Sequence, residues 1–369
     1  MKHIIILGGG RVGSAIAYDL SKQFLVTVAD INNNTLSKLQ AKYNISTTAL
    51  DVSNSEELKK TIQKYDLVIS AVPGFMGFKT LRTIIEAKKN VVDISFFPEN
   101  ALELNNLAQT NNVTALVDFG VAPGLGNILF GHYDTQFNIN SYACYVGGLP
   151  KRKTLPFEYK APFSPIDVIE EYTRPARLFE NSQIIIKDPL SEIEIIKFDQ
   201  TEELEAFNTD GLRSLLYTMS HVPQMKEKTL RYKGHAQKIQ LLKDIGLFSN
   251  QKKSTMNVSP LEMTSEVLKE NWFLKEGDEE FTVMRIIVQN QEKKVQIDLY
   301  DEYNTENNIT SMARTTGYTC TAGANLVLKN IFTKTGIFPP EIIGKEQTCY
   351  QFVIQYLKDR NITLKTIEN

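Results

Sequence analysis

Hydrophobic positions follow two alternating patterns over the first 125 residues. Short runs rich in β-branched residues recur, and between them apolar residues return every three or four positions, as on one face of a helix. The predicted strands are His3–Leu7, Leu25–Ala29, Leu67–Ala71, Val91–Ile94 and Thr114–Val117. Strands that alternate with helices predict right-handed crossovers and a parallel sheet covered on both faces. We therefore expect an α/β, doubly wound Rossmann domain over residues 1–125.

The pattern changes after Pro123-Gly124. Alternating strand-like runs cluster with fewer helical segments between them, which predicts an α+β domain built on a mainly antiparallel sheet. We place this second domain at residues 126–319 and expect it to bind substrate and to form a dimer interface. The C-terminal helices over 320–369 are expected to join the Rossmann domain. The predicted second-domain strands are 141–146, 184–187, 192–198, 282–289 and 294–301, and the helices 165–172, 210–219 and 235–245.

Composition and charge narrow the class of protein. The 369 residues are 42% hydrophobic and 23% charged, as in ordinary globular proteins. The net charge of −2 leaves no basic surplus for a phosphate backbone, so we expect no nucleic-acid partner. No segment approaches the roughly 18–20 apolar residues of a membrane span, and Ile4–Leu7 is too short for a signal-peptide core. We expect a cytoplasmic protein without a membrane partner.

A glycine-rich turn carries the first chemical motif. Residues 8–13 read G-G-G-R-V-G and fit G-x-G-x-x-G directly between a predicted strand and a predicted helix. In that context the glycines allow a tight turn and close approach of a pyrophosphate, which would lie on free N–H groups at the helix N-terminus. The predicted cofactor contacts of this turn are Gly8, Gly10, Arg11, Val12 and Gly13.

The second predicted strand ends on an acidic residue. Asp30 has the spacing expected of the carboxylate that accepts hydrogen bonds from the ribose hydroxyls, and it would repel a 2′-phosphate. Residues 31–34 supply no Arg or Lys for that phosphate, so NAD is favoured over NADP. Asp51 and Val52 are expected to contact adenine. Ala71, Val72 and Pro73 are expected beneath the cofactor at the carboxyl edge of the sheet.

Candidate substrate chemistry lies at the ends of predicted strands and in two polar segments. Asp93 ends the fifth strand and is the candidate general base, with a purely structural acceptor as the alternative. Lys79 could face the same crevice. Arg231 or Arg213 could hold a carboxylate with its planar fork, and Asp210 and Tyr232 are further candidate substrate contacts.

The cysteines and histidines predict neither a disulfide framework nor a metal site. Three cysteines lie far apart without a C-x-x-C pair, and four histidines lack ligand spacing.

Seven longer motifs stand out in the sequence: Gly147–Pro150, Glu170–Ala176, Asp188–Ser191, Thr209–Arg213, Thr229–Tyr232, Gly234-His235 and Phe338–Ile342. They resemble segments of the lysine 6-dehydrogenases of the saccharopine dehydrogenase-like family, and the resemblance spans essentially the whole chain. It implies NAD-dependent oxidation of L-lysine at its ε-carbon, release of ammonia, and a semialdehyde that cyclises to a piperideine carboxylate. It also implies a homodimer or larger assembly, and Arg231 as carboxylate anchor with Arg213 second. The reaction needs a neutral ε-amine and therefore a base, for which Asp93 remains the candidate.

Two alternatives stay open. Relatives that act on secondary amines, the saccharopine reductases and carboxynorspermidine dehydrogenases, share the Asp93 and Thr229–Tyr232 segments. A non-catalytic NAD(H)-binding sensor is the alternative of another class, because the sequence contains no catalytic triad.

Overall fold

The computed structural model describes residues 1–252 and 257–369, which form two compact units. Unit 1 comprises Met1–Asn138, Arg213–Thr218 and Met312–Thr363. Unit 2 comprises Ile139–Leu212, Met219–Ser311 and Leu364–Asn369. Unit 1 thus extends beyond residue 125, where we placed the domain boundary, and the last strand of the chain belongs to unit 2.

Unit 1 is built on a seven-stranded sheet in which every neighbouring pair is parallel. Its strands are β1 His3–Leu7, β2 Leu25–Asp30, β3 Ser46–Ala49, β4 Leu67–Ser70, β5 Val91–Asp93, β6 Thr114–Leu116 and β15 Gly336–Phe338. Their order in the sheet is β15-β6-β5-β4-β1-β2-β3. Its helices are α1 Arg11–Ser21, α2 Asn33–Tyr43, α3 Ser55–Ile62, α4 Gly74–Glu86, α5 Asn105–Thr110, α6 Leu125–Asp134, α8 Leu215–Thr218, α11 Ser311–Leu328, α12 Pro340–Lys345 and α13 Gln347–Lys358, with a 3-10 turn at Ala101–Leu104.

The central strands of this sheet are apolar on both faces because helices cover both sides. Residues Ile4–Leu7 and Leu67–Ile69 are fully buried. The C-terminal helices pack onto α1 through Asp19, whose buried carboxylate accepts hydrogen bonds from Thr321 Oγ1 at 2.7 Å and Tyr356 Oη at 2.6 Å. Arg360 Nε also donates to Asp19 at 2.9 Å. A buried charge therefore fixes the C-terminal helices in unit 1.

Unit 2 is built on a nine-stranded sheet that is antiparallel except for the pairing of β7 with β12. The main order is β10-β11-β12-β7-β13-β14-β16, and β8 pairs with β12 and β9. Its strands are β7 Ser141–Pro150, β8 Ala176–Glu180, β9 Gln183–Lys187, β10 Glu194–Ile196, β11 Leu204–Asn208, β12 Gln224–Tyr232, β13 Glu280–Gln289, β14 Lys294–Glu302 and β16 Leu364–Glu368. Its helices are α7 Pro165–Thr173, α9 His235–Asp244 and α10 Pro260–Trp272. The predicted fold class, a Rossmann domain with a mainly antiparallel second sheet, is confirmed.

The predicted helix over 210–219 is wrong in its first half, because only Leu215–Thr218 is helical. Arg213 has a positive φ of 53°, which a right-handed helix does not accept. The first of the C-terminal helices, which we expected from residue 320 onward, begins earlier, at Ser311, and ends at Leu328. Among the described residues, no helix combines the length and apolarity needed to cross a membrane.

Candidate active site

The glycine turn joins β1 to α1 at the carboxyl edge of the parallel sheet. Gly8 has a positive φ of 103°, and a Cβ there would overlap the carbonyl oxygen of Ala71. A Cβ on Gly13 would overlap the carbonyl of Gly8, so that glycine lets α1 pack against the turn. Gly10, by contrast, is exposed and faces open space.

The N-terminus of α1 fits a bound diphosphate. Gly10 is the N-cap residue, and no described side chain caps the helix or places an acid in its first turn. The N–H groups of the first helical turn have no backbone partner within the helix, and the helix dipole favours negative charge at this end. Arg11 and Val12 are half-buried at its start. The residues present therefore fit the dinucleotide that the sequence predicts.

Asp30 lies beside this turn at the end of β2. Its Oδ2 accepts a hydrogen bond from the Gly9 N–H at 2.7 Å, and its Oδ1 accepts one from the Asn32 N–H at 2.8 Å. A carboxylate has about four acceptor sites, so these two bonds leave capacity for ribose hydroxyls. The structure thus brings Asp30 and the glycine turn together.

The remaining predicted cofactor residues also lie in unit 1. Asp51 is exposed and Val52 half-buried after β3, and Ala71, Val72 and Pro73 link β4 to α4. Lys79 on α4 donates from Nζ to the Ser53 carbonyl at 3.1 Å. Hydrogen bonds from Ser53 lower the pKa of Asp51, and the Lys79 charge lowers it further. Lys79 therefore contacts the predicted adenine segment, and no hydrogen bond described for it involves Asp93.

Asp93 ends β5 as a fully buried carboxyl group. The Ser95 hydroxyl donates to its Oδ1 at 2.9 Å and the Ser95 N–H donates to its Oδ2 at 3.2 Å. The Ser70 hydroxyl lies 3.3 Å from that of Ser95. Burial raises the pKa of Asp93 to about 7, against the opposing effect of the serine hydrogen bonds and with a further rise from the charge of Asp118.

Asp118 follows β6 and forms a buried ion pair with Arg213. The Nε and Nη2 groups of Arg213 donate to Asp118 Oδ1 at 3.2 and 2.8 Å. The two residues are each 5% exposed. Arg213 therefore lies in unit 1 with an internal partner.

Arg231 is buried in unit 2 among aromatic side chains. Its Nη2 donates to Glu171 Oε2 at 2.6 Å and to Tyr159 Oη at 3.3 Å, and its Nε donates to Tyr172 Oη at 3.1 Å. Burial raises the pKa of Glu171 despite this pairing. His235 Nε2 lies 3.0 Å from Tyr172 Oη, and burial lowers the pKa of His235 to about 3.

Strand alternation separates Arg231 from Tyr232, which we had grouped in one substrate site. Successive side chains of a strand point to opposite faces. Tyr232 packs with the apolar cluster on the other face and donates to the Pro150 carbonyl at 2.8 Å. Asp210 forms a bidentate pair with Arg177, with both distances 2.8 Å.

Several polar groups were missed by sequence reasoning, chiefly the hydroxyls of Ser70 and Ser95 and the carboxyl groups of Asp118, Glu171 and Glu227. Glu227 is buried on β12 and accepts a hydrogen bond from Thr209 Oγ1 at 2.6 Å. Burial raises the pKa of Glu227 to about 8. The sequence shows these acids only as single charged residues in mixed surroundings. The residues that bind them lie far away along the chain, so no local pattern marks them.

No group of three or more His, Cys, Asp or Glu side chains within the described residues is arranged to hold a metal ion.

A glycine turn leading into an uncapped helix on a parallel Rossmann sheet defines the class, a dinucleotide-binding protein. Residues 4–116 match the family described as "Saccharopine dehydrogenase NADP binding domain", and residues 120–362 match "Saccharopine dehydrogenase C-terminal domain". The chain belongs to the saccharopine dehydrogenase family of NAD(P)-binding oxidoreductases.

Characterised relatives agree with this family. The chain is 26% identical over 266 residues to the mitochondrial alpha-aminoadipic semialdehyde synthase of Mus musculus, a match that covers 68% of this chain and 29% of that protein. It is 26% identical over 277 residues to a Pyricularia oryzae saccharopine dehydrogenase [NADP(+), L-glutamate-forming], covering 68% of this chain and 59% of that one. The chain thus matches less than two thirds of the length of either relative.

A solved structure shows the same fold. Apo saccharopine dehydrogenase (L-Glu forming) from Saccharomyces cerevisiae superposes with a TM-score of 0.81 at 18% identity, over 100% of both chains. The two family matches confirm the resemblance to the saccharopine dehydrogenase-like family, whereas the assignment to lysine 6-dehydrogenase stays a prediction.

Proposed function

We propose that this protein oxidises a primary amine of an amino acid with NAD, and that the ε-amine of L-lysine is its substrate. The observation that carries the proposal is the buried Asp93 carboxyl at the carboxyl end of β5, in the same unit as an open diphosphate site. In doubly wound sheets, ligands bind outside the carboxyl ends of the strands.

The chain's own residues would hold the dinucleotide in a defined way. The N–H groups around Gly10 and Arg11 would bind the diphosphate, and Asp30 would bind the ribose hydroxyls. The names of the family domain and of the fungal relative refer to NADP. We nevertheless propose NAD, because a 2′-phosphate beside Asp30 would face a like charge without a cation in residues 31–34.

Replacing Asp30 with Ala tests the choice of dinucleotide. The loss of the carboxylate should shrink the preference for NADH over NADPH, measured as the ratio of the two Kd values by fluorescence titration. An unchanged ratio would remove Asp30 from the ribose site. Asp66→Ala, at an exposed carboxylate paired with Lys2, is the matched control.

Asp93 is the proposed base. Bound NAD supplies a hydride acceptor, and the amine must be neutral before its carbon can release hydride. Asp93 would take the proton from the ε-ammonium of lysine, whose ordinary pKa is about 10.4. Loss of hydride from the ε-carbon then leaves an iminium, and water addition releases ammonia and the semialdehyde, which cyclises with the α-amine.

Arg231 is the proposed anchor for the substrate carboxylate. Its guanidinium already donates to Glu171, so a substrate would have to exchange with that carboxylate. Tyr232, Asp210 and Lys79 have internal partners of their own, and we assign them no direct part in the chemistry.

The first experiment is NADH absorbance with purified protein, NAD and L-lysine near pH 9–10, with saccharopine and ornithine in parallel. Lysine-dependent NADH formation is the expected result. A signal with saccharopine alone would transfer the protein to the secondary-amine branch, which its relatives' names favour. Tight NADH binding without turnover of any substrate would support the sensor alternative.

We also propose a homodimer or a larger homo-oligomer, on the family resemblance alone. Sedimentation equilibrium should give at least twice the chain mass of 41.8 kDa, and a monomer at micromolar concentration would contradict it.

A further inference from the structure

The short segment Arg213–Thr218 belongs to unit 1 although its neighbours in sequence belong to unit 2. It is fixed at both ends. Arg213 donates to Asp118, and Thr218 Oγ1 donates to the fully buried Glu341 at 2.5 Å. Because both ends bind buried carboxylates, the position of Arg213 is set by unit 1.

The surroundings of Arg213 explain why its guanidinium is held on Asp118. The guanidinium carbon lies 5.0 Å and 5.1 Å from the ring centroids of Phe96 and Phe97. Cations within about 6 Å of an aromatic face are attracted to it. With one carboxylate and two rings around it, the charge of Arg213 is compensated inside the protein.

Asp118 connects this ion pair to the proposed base. The N–H of the next residue, Phe119, donates to the Asp93 carbonyl at 3.0 Å, which keeps the two acidic residues on adjacent backbone. The charge of Asp118 disfavours ionisation of Asp93. Among the described residues, the buried thiol of Cys320 on α11 also interacts with Asp93, and it stays neutral because burial raises its pKa. Within the described part of the chain, Arg213 contributes the positive charge to this group of side chains.

We propose that Arg213 is a positioning residue that compensates the charge of Asp118, so that Asp93 can ionise, and that Arg213 does not bind substrate. The part of this inference that concerns turnover rests on the proposed role of Asp93. It departs from the resemblance, which makes Arg213 the second candidate for the substrate carboxylate.

A cycle of three variants tests the proposal: Arg213→Met, Asp118→Asn and the double variant. The acid limb of the pH profile of kcat/KM should move to higher pH in Arg213→Met by about one unit, because Asp118 is then an uncompensated like charge. It should move to lower pH in Asp118→Asn, where the cation remains alone. The double variant should return close to the wild-type limb. Arg213→Lys keeps the charge and should resemble wild type.

The alternative role gives a different pattern. A substrate anchor would raise KM for the amino acid in Arg213→Met and in the double variant alike, with an unmoved acid limb. That result would overturn the proposal. If Arg213→Met does not fold, the comparison of Asp118→Asn with the double variant measures the same cation, and equal acid limbs in those two variants would also overturn it.

A measurement without turnover separates this inference from the proposed function. The infrared carboxyl band of Asp93, isolated as wild type minus Asp93→Asn, reports its protonation in the protein alone. Its titration midpoint should shift in the same directions through the cycle. Shifts without turnover of any amine would leave the coupling intact and reject the proposed activity. A midpoint unchanged across all variants would reject the coupling, whatever the activity.

Discussion

Asp93 shows how burial and hydrogen bonding compete at one residue. The Ser95 hydroxyl and N–H donate to the carboxyl group and favour its ionised form. Complete burial favours the neutral form and is the larger effect, so the pKa of Asp93 rises to about 7. General bases work best when their pKa lies near the operating pH. A carboxyl at this position is therefore suited to take a proton from an ammonium group.

The pH dependence of turnover follows from this pKa. Above about pH 7 Asp93 is ionised and can accept a proton, so kcat/KM should fall below about pH 7. Asp93→Asn should reduce kcat by about 10² or more, with NADH affinity unchanged by fluorescence titration. Asp66→Asn, an exposed acid, is the control. Wild-type turnover in Asp93→Asn would place the base elsewhere.

Arg231 allows a structural role to be separated from a substrate role. Arg231→Met would remove the ion pair of Glu171, whose side chain is 17% exposed, and breaking a mostly buried pair of this kind costs about 3 kcal/mol, the lower end of the range for buried pairs. We expect that loss in the free energy of unfolding by urea. Lys233→Met, at an exposed pair with Glu203, should change little. An Arg231 variant of unchanged stability but raised KM would instead indicate an anchor that mainly serves the substrate.

At the scale of elements, two glycines of the same turn serve different purposes: one is required by the fold and the other by the proposed ligand. Gly8 needs its positive φ and lacks room for a Cβ, whereas Gly10 has φ −64° and ψ −171° and faces open space. Alanine accepts the backbone of Gly10 but not that of Gly8.

Gly10→Ala should therefore leave the fold intact and weaken the binding of the dinucleotide. We expect the free energy of unfolding to change by no more than about 1 kcal/mol, and the Kd for NADH to rise by about tenfold, equivalent to about 1.4 kcal/mol. Gly8→Ala, in contrast, should lower the free energy of unfolding, because this position needs a positive φ and has no room for a Cβ. Equal NADH affinity in Gly10→Ala and wild type would mean that the diphosphate does not approach this backbone.

Elements with local signals were predictable from the sequence. The strand–turn–helix of β1 and α1 is encoded by adjacent residues. The position of Asp30 at the end of β2 follows from the length of that strand and its spacing from the glycine turn. The prediction of a helix over the first half of 210–219 was wrong because Arg213 forms an ion pair with Asp118, a residue far away in sequence. Strand β12 was hidden by Lys226, Glu227 and Lys228, whose burial becomes acceptable only with distant partners such as Glu194. Likewise, the residues next to Asp93 in sequence do not indicate that Ser70 and Asp118 lie close to it in the fold.

At the scale of the whole molecule, each unit carries an acid whose pKa is raised by burial. Asp93 in unit 1 and Glu227 in unit 2 have pKa values of about 7 and about 8, both raised by burial. The folded chain therefore holds these protons more tightly than the unfolded chain, in which the pKa values are close to 4. Protonation of these two groups favours the folded state, opposite to the effect of carboxylates in ion pairs.

This sign fixes the direction of a stability experiment. The contribution of Glu227 is complete below its unfolded pKa near 4.3 and is lost as the pH rises toward about 8, at up to about 1.4 kcal/mol per pH unit. Glu227→Gln is neutral at every pH, so its free energy of unfolding should decline less than that of wild type between pH 5 and 8. Urea unfolding across this range measures the difference, with the exposed-site variant Glu203→Gln as control. Parallel curves for wild type and Glu227→Gln would show that Glu227 is ionised in the folded protein, and its charge would then require a cationic partner in unit 2.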